Sequence, residues 1–421
     1  MKLAIVIIRS PEYRLYAPVI EAALARGWEV ECWHDYSQAR IGLKGYQFPS
    51  IDLAPAFRNG RPLIRSYGGP PELRAWLARM RADAVIAGTP DVVNSPLPAS
   101  RPLWVCQQYF LDSVLFGPDS LLTWDVLAMH SQWWLEWAGG YFESEGLVAD
   151  RDAFVREAER RTTFLGLPEA DAARLIDPDE VRRRWGIPPG QPVVVLFPFP
   201  QGVGRNIFWP RRICIEPSRL KQLASIIAFR RFQYWSHMWH GWNDRNVVRA
   251  LRRFCDRNGA YLLVKSRRKT PIPAYTEALA DQCVYDEGFY PATILEALSI
   301  SSLSVSYYSN AVFESVSLGV PHLCLTYAAE DYNGTDAKCL ARFYNPKEGS
   351  AFQFRGVSTA LCIPEALSQL PAKTLSDFAI DAEAQDRYVQ KFLTHGAGNG
   401  GVRTIEAIEQ ALGRKRGTSR N

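Results

Sequence analysis

The sequence lacks the long apolar runs and the closely spaced cysteines that mark membrane-spanning or metal-binding chains. No apolar stretch approaches the roughly 20 residues that a bilayer-crossing helix needs, and the run "LAIVII" is shorter than the core of a signal peptide. The eight cysteines are scattered, without the short spacing of a zinc or redox motif. We therefore expect core thiols in a reducing compartment and a cytoplasmic protein.

A strong charge of either sign is also missing. Lys and Arg total 49 and Asp and Glu total 44, which gives a net charge of +5 over 421 residues. Because acids are interspersed with bases, no continuous basic face is expected, and a nucleic-acid partner is the least favoured class. The hydrophobic content of 47% indicates a folded protein, and the length exceeds one ordinary core, so two domains are predicted.

Two series of apolar strands alternate with helical segments along the chain. "KLAIVII", "YAPVIEAALARG" and "WEVECW" read as strand, helix and strand, and a second series runs from "VVVLFPFP" through "AYLLVKS" and "SSLSVSYYS" to "PHLCLTY". This order predicts an α/β protein with two tandem parallel sheets. We place the domains at residues 1–185 and 186–385, followed by helices over 386–412 that return to the first domain and a basic tail at 413–421.

Small polar residues follow the strand "SLSVSYY", and a single acid lies one helical turn further on. Ligands of parallel sheets bind beyond the carboxyl ends of the strands, where a helix N-terminus favours phosphate. Ser309 and Asn310 are therefore candidate phosphate contacts, and the Glu314 carboxylate can accept two hydroxyl hydrogen bonds from a ribose diol. The alternative is that Ser309 or Asn310 is an ordinary N-cap and Glu314 a solvated acid.

Two further strand ends carry glycine or basic residues. After "VVVLF", Gly202 and Gly204 would let the backbone approach a diphosphate, which Arg205 would neutralise. After "AYLLV", Lys265 and Arg267 would neutralise a departing nucleotide diphosphate. The alternatives are a plain glycine-rich turn and a solvated basic loop.

The stretch "SNAVFESVSLGVP" resembles the donor-binding helix of GT-B glycosyltransferases. The resemblance implies two Rossmann-like domains facing a cleft, with Ser309 and Asn310 at the donor diphosphate and Glu314 at the nucleotide ribose. "YAAEDYNG" resembles the loop that holds donor-sugar hydroxyls, which implies this role for Glu330 and Asp331. Among GT-B enzymes the chain looks most like bacterial surface-polysaccharide transferases and their CDP-glycerol transferase relatives.

Acids in the loops of the first domain are candidate bases for deprotonating an acceptor hydroxyl. Glu12, in "RSPEYRLY" after the first strand, is the first candidate, and its position is similar to that of the base in inverting GT-B enzymes. Asp112 in "CQQYFLDS" is the second candidate and Asp35 in "CWHDYS" the third. Each of the three is alternatively a helix cap or a surface acid.

A basic and aromatic segment precedes the second strand of the second domain. His237 and His240 within it have no evident third ligand, so we expect neither a catalytic metal nor a cofactor beyond the sugar donor. Arginines, lysines and aromatics are mixed over residues 205–242, as suits contact with lipid headgroups. The alternative is an ordinary helix with aromatics in the core and solvated arginines.

These observations predict a metal-independent, inverting GT-B glycosyltransferase. A nucleotide-activated sugar would bind the second domain, and a glycan or lipid-linked acceptor of surface-polysaccharide biosynthesis would bind the first, with contact to the inner face of the membrane. A sugar-nucleotide epimerase of the same fold is the alternative enzyme. A non-catalytic nucleotide-sugar or glycan-binding protein is the alternative from another class.

Overall fold

Two compact units make up the chain in the computed structural model. The first comprises Met1–Leu175, Gly288–Thr293 and Val389–Asn421, and the second comprises Ile176–Glu287 and Ile294–Tyr388. The structure describes residues 1–36, 56–88, 102–108, 117–198, 218–266, 272–285, 288–307, 309–326, 339 and 342–418.

The described residues of each unit form one parallel sheet. The strands are β1 Lys2–Ile7, β2 Glu29–Asp35, β3 Leu63–Tyr67, β4 Ala84–Ile86, β5 Leu103–Gln107, β6 Val126–Met129 and β7 Thr162–Phe164 in the first unit, and β8 Val193–Phe197, β9 Tyr261–Lys265, β10 Gln282–Val284, β11 Leu303–Tyr307, β12 His322–Thr326 and β13 Ser358–Cys362 in the second. The strand orders are β3-β2-β1-β4-β5-β6-β7 and β10-β9-β8-β11-β12-β13. In each sheet the chain first adds strands toward one edge and then crosses over to add strands toward the other edge. This change lies between β1 and β4 in the first sheet and between β8 and β11 in the second. Parallel α/β sheets bind ligands at such a position.

Helices connect the strands and cover the sheets. They are α1 Tyr13–Ala25, α2 Pro70–Met80, α3 Pro118–Thr123, α4 Gln132–Ser144, α5 Arg151–Glu159, α6 Pro178–Arg184, α7 Arg219–Ala228, α8 Trp235–His240, α9 Asp244–Arg257, α10 Ala274–Glu277, α11 Thr293–Ser299, α12 Ala311–Ser317, α13 Ile363–Gln369, α14 Ala382–Phe392 and α15 Gly400–Thr418. No helix in the described part of the chain is both long enough and apolar enough to cross a bilayer.

Continuous apolar runs produce the central strands, as the sequence predicts. The side chains of β8 at Val193 and Val195 pack with Leu263 of β9 in a buried core, and the corresponding core of the first unit is built on Leu3 and Ile5 of β1. Strands buried on both faces are typically made of such residues. The predicted pair of parallel α/β domains is confirmed.

The last helix, α15, packs against α1 of the first unit. Ile405 and Ile408 join the core that contains Val19 of α1. A Cβ atom at Gly401 would lie 2.3 Å from the carbonyl oxygen of Pro18, so only glycine permits this close approach. The predicted return of the C-terminal helices to the first domain is therefore confirmed.

Candidate functional site

The described donor candidates lie at the carboxyl edge of the second sheet. Lys265 is the last residue of β9, and Ser309, Asn310 and Glu314 follow β11, with β8 between these two strands in the sheet. These strand ends flank the reversal in strand order between β8 and β11. The other donor candidates, and one candidate base, lie outside the described residues: Gly202, Gly204, Arg205, Arg267, Glu330, Asp331 and Asp112.

Glu314 of α12 is a buried carboxylate, with 3% of its surface exposed. The interpretation of Glu314 as a solvated acid is therefore wrong. Removing a carboxylate from water costs several kcal/mol unless polar groups compensate, so such a residue is rarely kept without a use. Its position in the first turn of the helix that follows β11 leaves the ribose-binding role in place as a prediction.

Lys265 is buried as well, and its Nζ donates a hydrogen bond of 2.6 Å to the carbonyl oxygen of Ser266. A buried lysine side chain has few conformations, so its amine is held in one place at the end of β9. The alternative of a solvated basic loop is wrong for this residue.

The start of α12 separates the roles of Ser309 and Asn310. Ser309 Oγ accepts a hydrogen bond from the amide of Ala311 at 3.2 Å, so this hydroxyl acts as a cap. The amide of Phe313 donates to the carbonyl of Asn310 at 2.9 Å. The side chain of Asn310 does not cap the helix, and its buried Oδ1 has no hydrogen-bond partner among the described residues. The helix α12 has only seven residues, and its Ala311 and Phe313 amides already donate hydrogen bonds. Asn310 is therefore a better candidate for ligand binding than the helix amides.

A buried polar network holds α12 on the sheet. Ser304 Oγ of β11 donates to Ser315 Oγ of α12 at 2.8 Å, and Ser315 donates in turn to the carbonyl of Ala311 at 2.5 Å. His322 of β12 bonds with both strand serines, Nδ1 to Ser304 at 2.7 Å and Nε2 to Ser306 at 2.9 Å. Burial lowers the pKa of His322 to about 3, so the ring is neutral. The network fixes the helix that carries Glu314.

A second buried acid fixes the end of β11. Asp244, the first residue of α9, accepts hydrogen bonds from the hydroxyl groups of Tyr307 at 2.7 Å and Tyr275 at 2.5 Å. Burial raises the pKa of Asp244, and these two hydrogen bonds oppose that change. Sequence reasoning missed this acid, because nothing in its local pattern distinguishes it from the N-terminal acid of an ordinary helix.

His237 and His240 contact aromatic rings. The ring of His237 meets those of Tyr234 and Trp242 edge to face, and His240 stacks on Trp242. Within the described residues, no three His, Cys, Asp or Glu side chains are grouped as a metal site would require.

Glu12 lies at the carboxyl end of β1 in the first unit and is buried. Its Oε2 accepts from the amide of Ile8 at 2.7 Å, and its Oε1 accepts from Nε of Arg9 at 3.2 Å. Burial raises the pKa of Glu12, whereas Arg9 and the Ile8 amide oppose the rise. The carboxylate therefore has a raised pKa, which suits a base, but it also holds its own loop.

Asp35 is buried at the carboxyl end of β2, the strand next to β1. Burial raises the pKa of Tyr67, and the charge of Asp35 and a hydrogen bond with its carboxylate raise it further. Asp35 is thus not a surface acid, and it is engaged by Tyr67 at the end of β3.

A buried histidine that sequence reasoning missed follows β6. The amide of His130 donates to Oε1 of Gln108 at 2.9 Å, and its Nε2 lies 3.9 Å from Oε2 of Glu169. Neither ring nitrogen has a hydrogen-bond partner in the described part of the chain, and burial lowers the pKa of His130 to about 3. A lone histidine after an apolar strand gave no signal, because its acidic neighbour is 39 positions away in sequence.

No protein-family model matches the sequence, and no curated protein sequence matches it. Many solved structures are similar, and three of them, each at 12% identity, match over nearly the whole chain. The MnaA–UDP co-structure from S. aureus covers 98% of this chain and 97% of its own, with a TM-score of 0.53. For the wall teichoic acid polymerase TagF these values are 98%, 90% and 0.52, and for the UDP-GlcNAc 2-epimerase from Neisseria meningitidis bound to UDP-GlcNAc they are 97%, 100% and 0.50.

These neighbours are GT-B fold proteins, so the predicted GT-B fold is confirmed. At 12% identity the similarity establishes the fold alone.

Proposed function

We propose that this chain is a glycosyltransferase that takes a sugar from a nucleotide-activated donor held at the carboxyl edge of the second sheet. The observation that supports the proposal is the burial of two ionisable side chains of opposite type at that edge, the Lys265 amine at the end of β9 and the Glu314 carboxyl after β11. Buried charges are costly, and a nucleoside diphosphate linked to a sugar offers both a phosphate for the cation and a ribose diol for the carboxylate.

Each of the site residues has a role in the proposed reaction. Lys265 neutralises the diphosphate, Asn310 binds a polar donor group through its buried Oδ1, and Glu314 accepts hydrogen bonds from the ribose hydroxyls. Glu12 of the first unit takes the proton of the acceptor hydroxyl. The acceptor oxygen then forms a bond to the anomeric carbon, the bond from that carbon to the diphosphate oxygen breaks, and the nucleoside diphosphate leaves with the electron pair. In this proposal Lys265, rather than a metal ion, balances the charge of the leaving group.

A thermal-shift panel of UDP, CDP, GDP and TDP tests the donor half of the proposal. A ligand that binds only the folded state raises the melting temperature in proportion to the logarithm of its concentration over Kd. We expect one nucleoside diphosphate to raise the melting temperature more than the others. If none of them changes it at concentrations up to the millimolar range, the protein does not bind a nucleotide-activated donor and the proposal fails.

Glu314→Ala is expected to weaken binding of that nucleotide by about 10- to 100-fold, because each hydrogen bond to a charged group is worth about 1.5–3 kcal/mol. Isothermal titration calorimetry gives the two Kd values. Glu296→Ala is the control, since Glu296 is a partly buried acid of the same unit that pairs with Arg184 at 2.8 Å. An unchanged Kd in a folded Glu314→Ala protein would remove the ribose role.

A sugar-nucleotide epimerase is the second candidate, and the similarity to UDP-GlcNAc 2-epimerase supports it. An epimerase needs acid and base groups acting on the donor itself, and the buried pair His130 and Glu169 lies at the carboxyl end of the first sheet, like Glu12. Incubation with UDP-GlcNAc alone separates the candidates. Epimerised product without any acceptor supports the epimerase, and nucleotide binding without turnover of any kind supports a binding protein.

A further inference from the structure

Large apolar side chains are exposed in one segment of the second unit, residues 218–242, which we name the exposed segment. It consists of α7, a short 3-10 helix and α8. Leu220, Ile227, Phe232, Trp235 and Trp239 are 78, 54, 61, 45 and 74% exposed. Exposed apolar patches of this kind mark sites of contact with another surface. The interpretation in which these aromatics belong to the core is wrong.

Helical spacing places these side chains on outward faces. Leu220, Ala224 and Ile227 are related by i, i+4 and i+7 on α7, whereas Gln222 and Ile226 are buried. On α8, Trp235 and Trp239 are four residues apart and share a face. Only the inward side of the segment has a core, in which Ile226 contacts Tyr234. The outward sides form an apolar surface on both helices.

The charge of the exposed segment has one sign. The sequence from residue 218 to residue 243 contains no Asp or Glu and has four basic residues, of which Arg219, Lys221 and Arg230 are exposed. The apolar side chains of Leu220 and Phe232 lie close in sequence to these cations. This combination complements an anionic phospholipid surface, where cations bind lipid phosphates and tryptophans occupy the boundary between headgroups and acyl chains.

We propose that the exposed segment docks the protein on an anionic phospholipid bilayer. The apolar side chains of α7 and α8 enter the boundary between headgroups and acyl chains, and Arg219, Lys221 and Arg230 bind lipid phosphates. Docking goes beyond the proposed transferase activity and does not depend on it, because it uses neither Glu314 nor Lys265. It would hold the enzyme at the surface where a lipid-linked acceptor is found.

Co-sedimentation with vesicles tests this proposal. We expect the full chain to bind vesicles of phosphatidylcholine mixed with phosphatidylglycerol, to bind phosphatidylcholine alone much more weakly, and to lose binding as salt is raised. Replacing Lys221 or Arg230 by Ser should weaken binding by about fivefold for each charge removed, the equivalent of about 1 kcal/mol per cation. The double variant Leu220→Ser/Trp239→Ser should reduce binding by at least about tenfold.

Matched controls and a second measurement make the outcome unambiguous. Leu147→Ser removes an exposed leucine of the first unit, and Arg387→Ser removes an exposed cation outside the segment, so neither should alter binding. Melting temperatures verify folding. Absence of vesicle binding, or equal losses in the controls, would overturn the proposal. The proposal would also be overturned if the protein is a dimer and the Trp239→Ser variant is a monomer. In that case the exposed segment would bind a second copy of the chain. The nucleotide panel reports on the donor site separately.

Discussion

Glu12→Gln is expected to reduce turnover of the nucleotide-sugar substrate by about 10²- to 10⁴-fold, the usual contribution of a general base. The Kd of the nucleotide should not change, because Glu12 belongs to the first unit and the donor candidates belong to the second. Glutamine keeps an oxygen that can accept from the Ile8 amide, so most of the loop contact at 2.7 Å is preserved. Release of nucleoside diphosphate at saturating substrates measures the effect.

Arg9→Gln is the control that separates chemistry from loop structure. It removes the hydrogen bond from Arg9 Nε to the Glu12 carboxylate but leaves the carboxylate itself. Because Arg9 lowers the pKa of Glu12, the acidic limb of the pH–rate profile should move to higher pH in Arg9→Gln and be lost in Glu12→Gln. Equal losses of turnover in both variants, without a shift of the limb, would make Glu12 a loop-positioning residue. Asp112 would then be tested next.

The central strands could be predicted from sequence, and two edge strands, β3 and β13, could not. β8, "VVVLF", is continuously apolar because it is buried on both faces and paired on both sides. β3 and β13 lie at sheet edges and have the mixed sequences "LIRSY" and "STALC", so no apolar run marks them. The assignment of Gly288–Thr293 to the first unit also has no sequence signal, because it results from tertiary contacts such as that between the rings of Tyr290 and Phe57.

The candidate site shows the same division. The position of Lys265 and Glu314 after strands was predictable, because the carboxyl ends of parallel strands share one edge. Their burial was not, because it is decided by neighbours that are distant in sequence. Asp244 illustrates the limit, since its partner Tyr307 is 63 residues away. Ser309 shows the opposite case, in which a local hydrogen bond to the Ala311 amide supported the simpler N-cap interpretation.

Protonation of two of the buried histidines, His130 and His322, is expected to destabilise the protein in acid. Burial lowers the pKa of both His130 and His322 from 6.5 to about 3. Between these values the unfolded chain binds a proton at each histidine and the folded chain does not, so the free energy of unfolding falls as the pH falls below about 6.5. Each histidine contributes up to about 1.4 kcal/mol per pH unit in this window. Below about pH 3 the folded histidines are protonated too, and the contribution stops growing.

Buried acids act in the opposite direction. Burial raises the pKa values of Glu12, Asp171 and Asp244, so the folded protein binds protons at these groups at a higher pH than the unfolded chain does. As the pH falls toward their ordinary pKa, these groups therefore increase the free energy of unfolding. The contribution of each histidine to the pH dependence is therefore obtained by comparing the unfolding free energy of the wild type with that of a variant that lacks the histidine.

His322→Gln is the informative variant, because glutamine does not titrate and its amide can still bond with Ser304 or Ser306. At pH 7 the variant should be less stable than the wild type by about 1–3 kcal/mol, because the network is imperfect. As the pH is lowered, its free energy of unfolding should fall less steeply than that of the wild type, and the two slopes should differ by up to about 1.4 kcal/mol per pH unit. His130→Gln should flatten the curve in the same way, and His240→Gln, at an exposed histidine, is the control. Urea unfolding at a series of pH values between about 7 and 4 gives the slopes. Parallel curves for the wild type and His322→Gln would mean that the ring takes up its proton at the same pH in the folded protein as in the unfolded chain, and the neutral network under α12 would have to be abandoned.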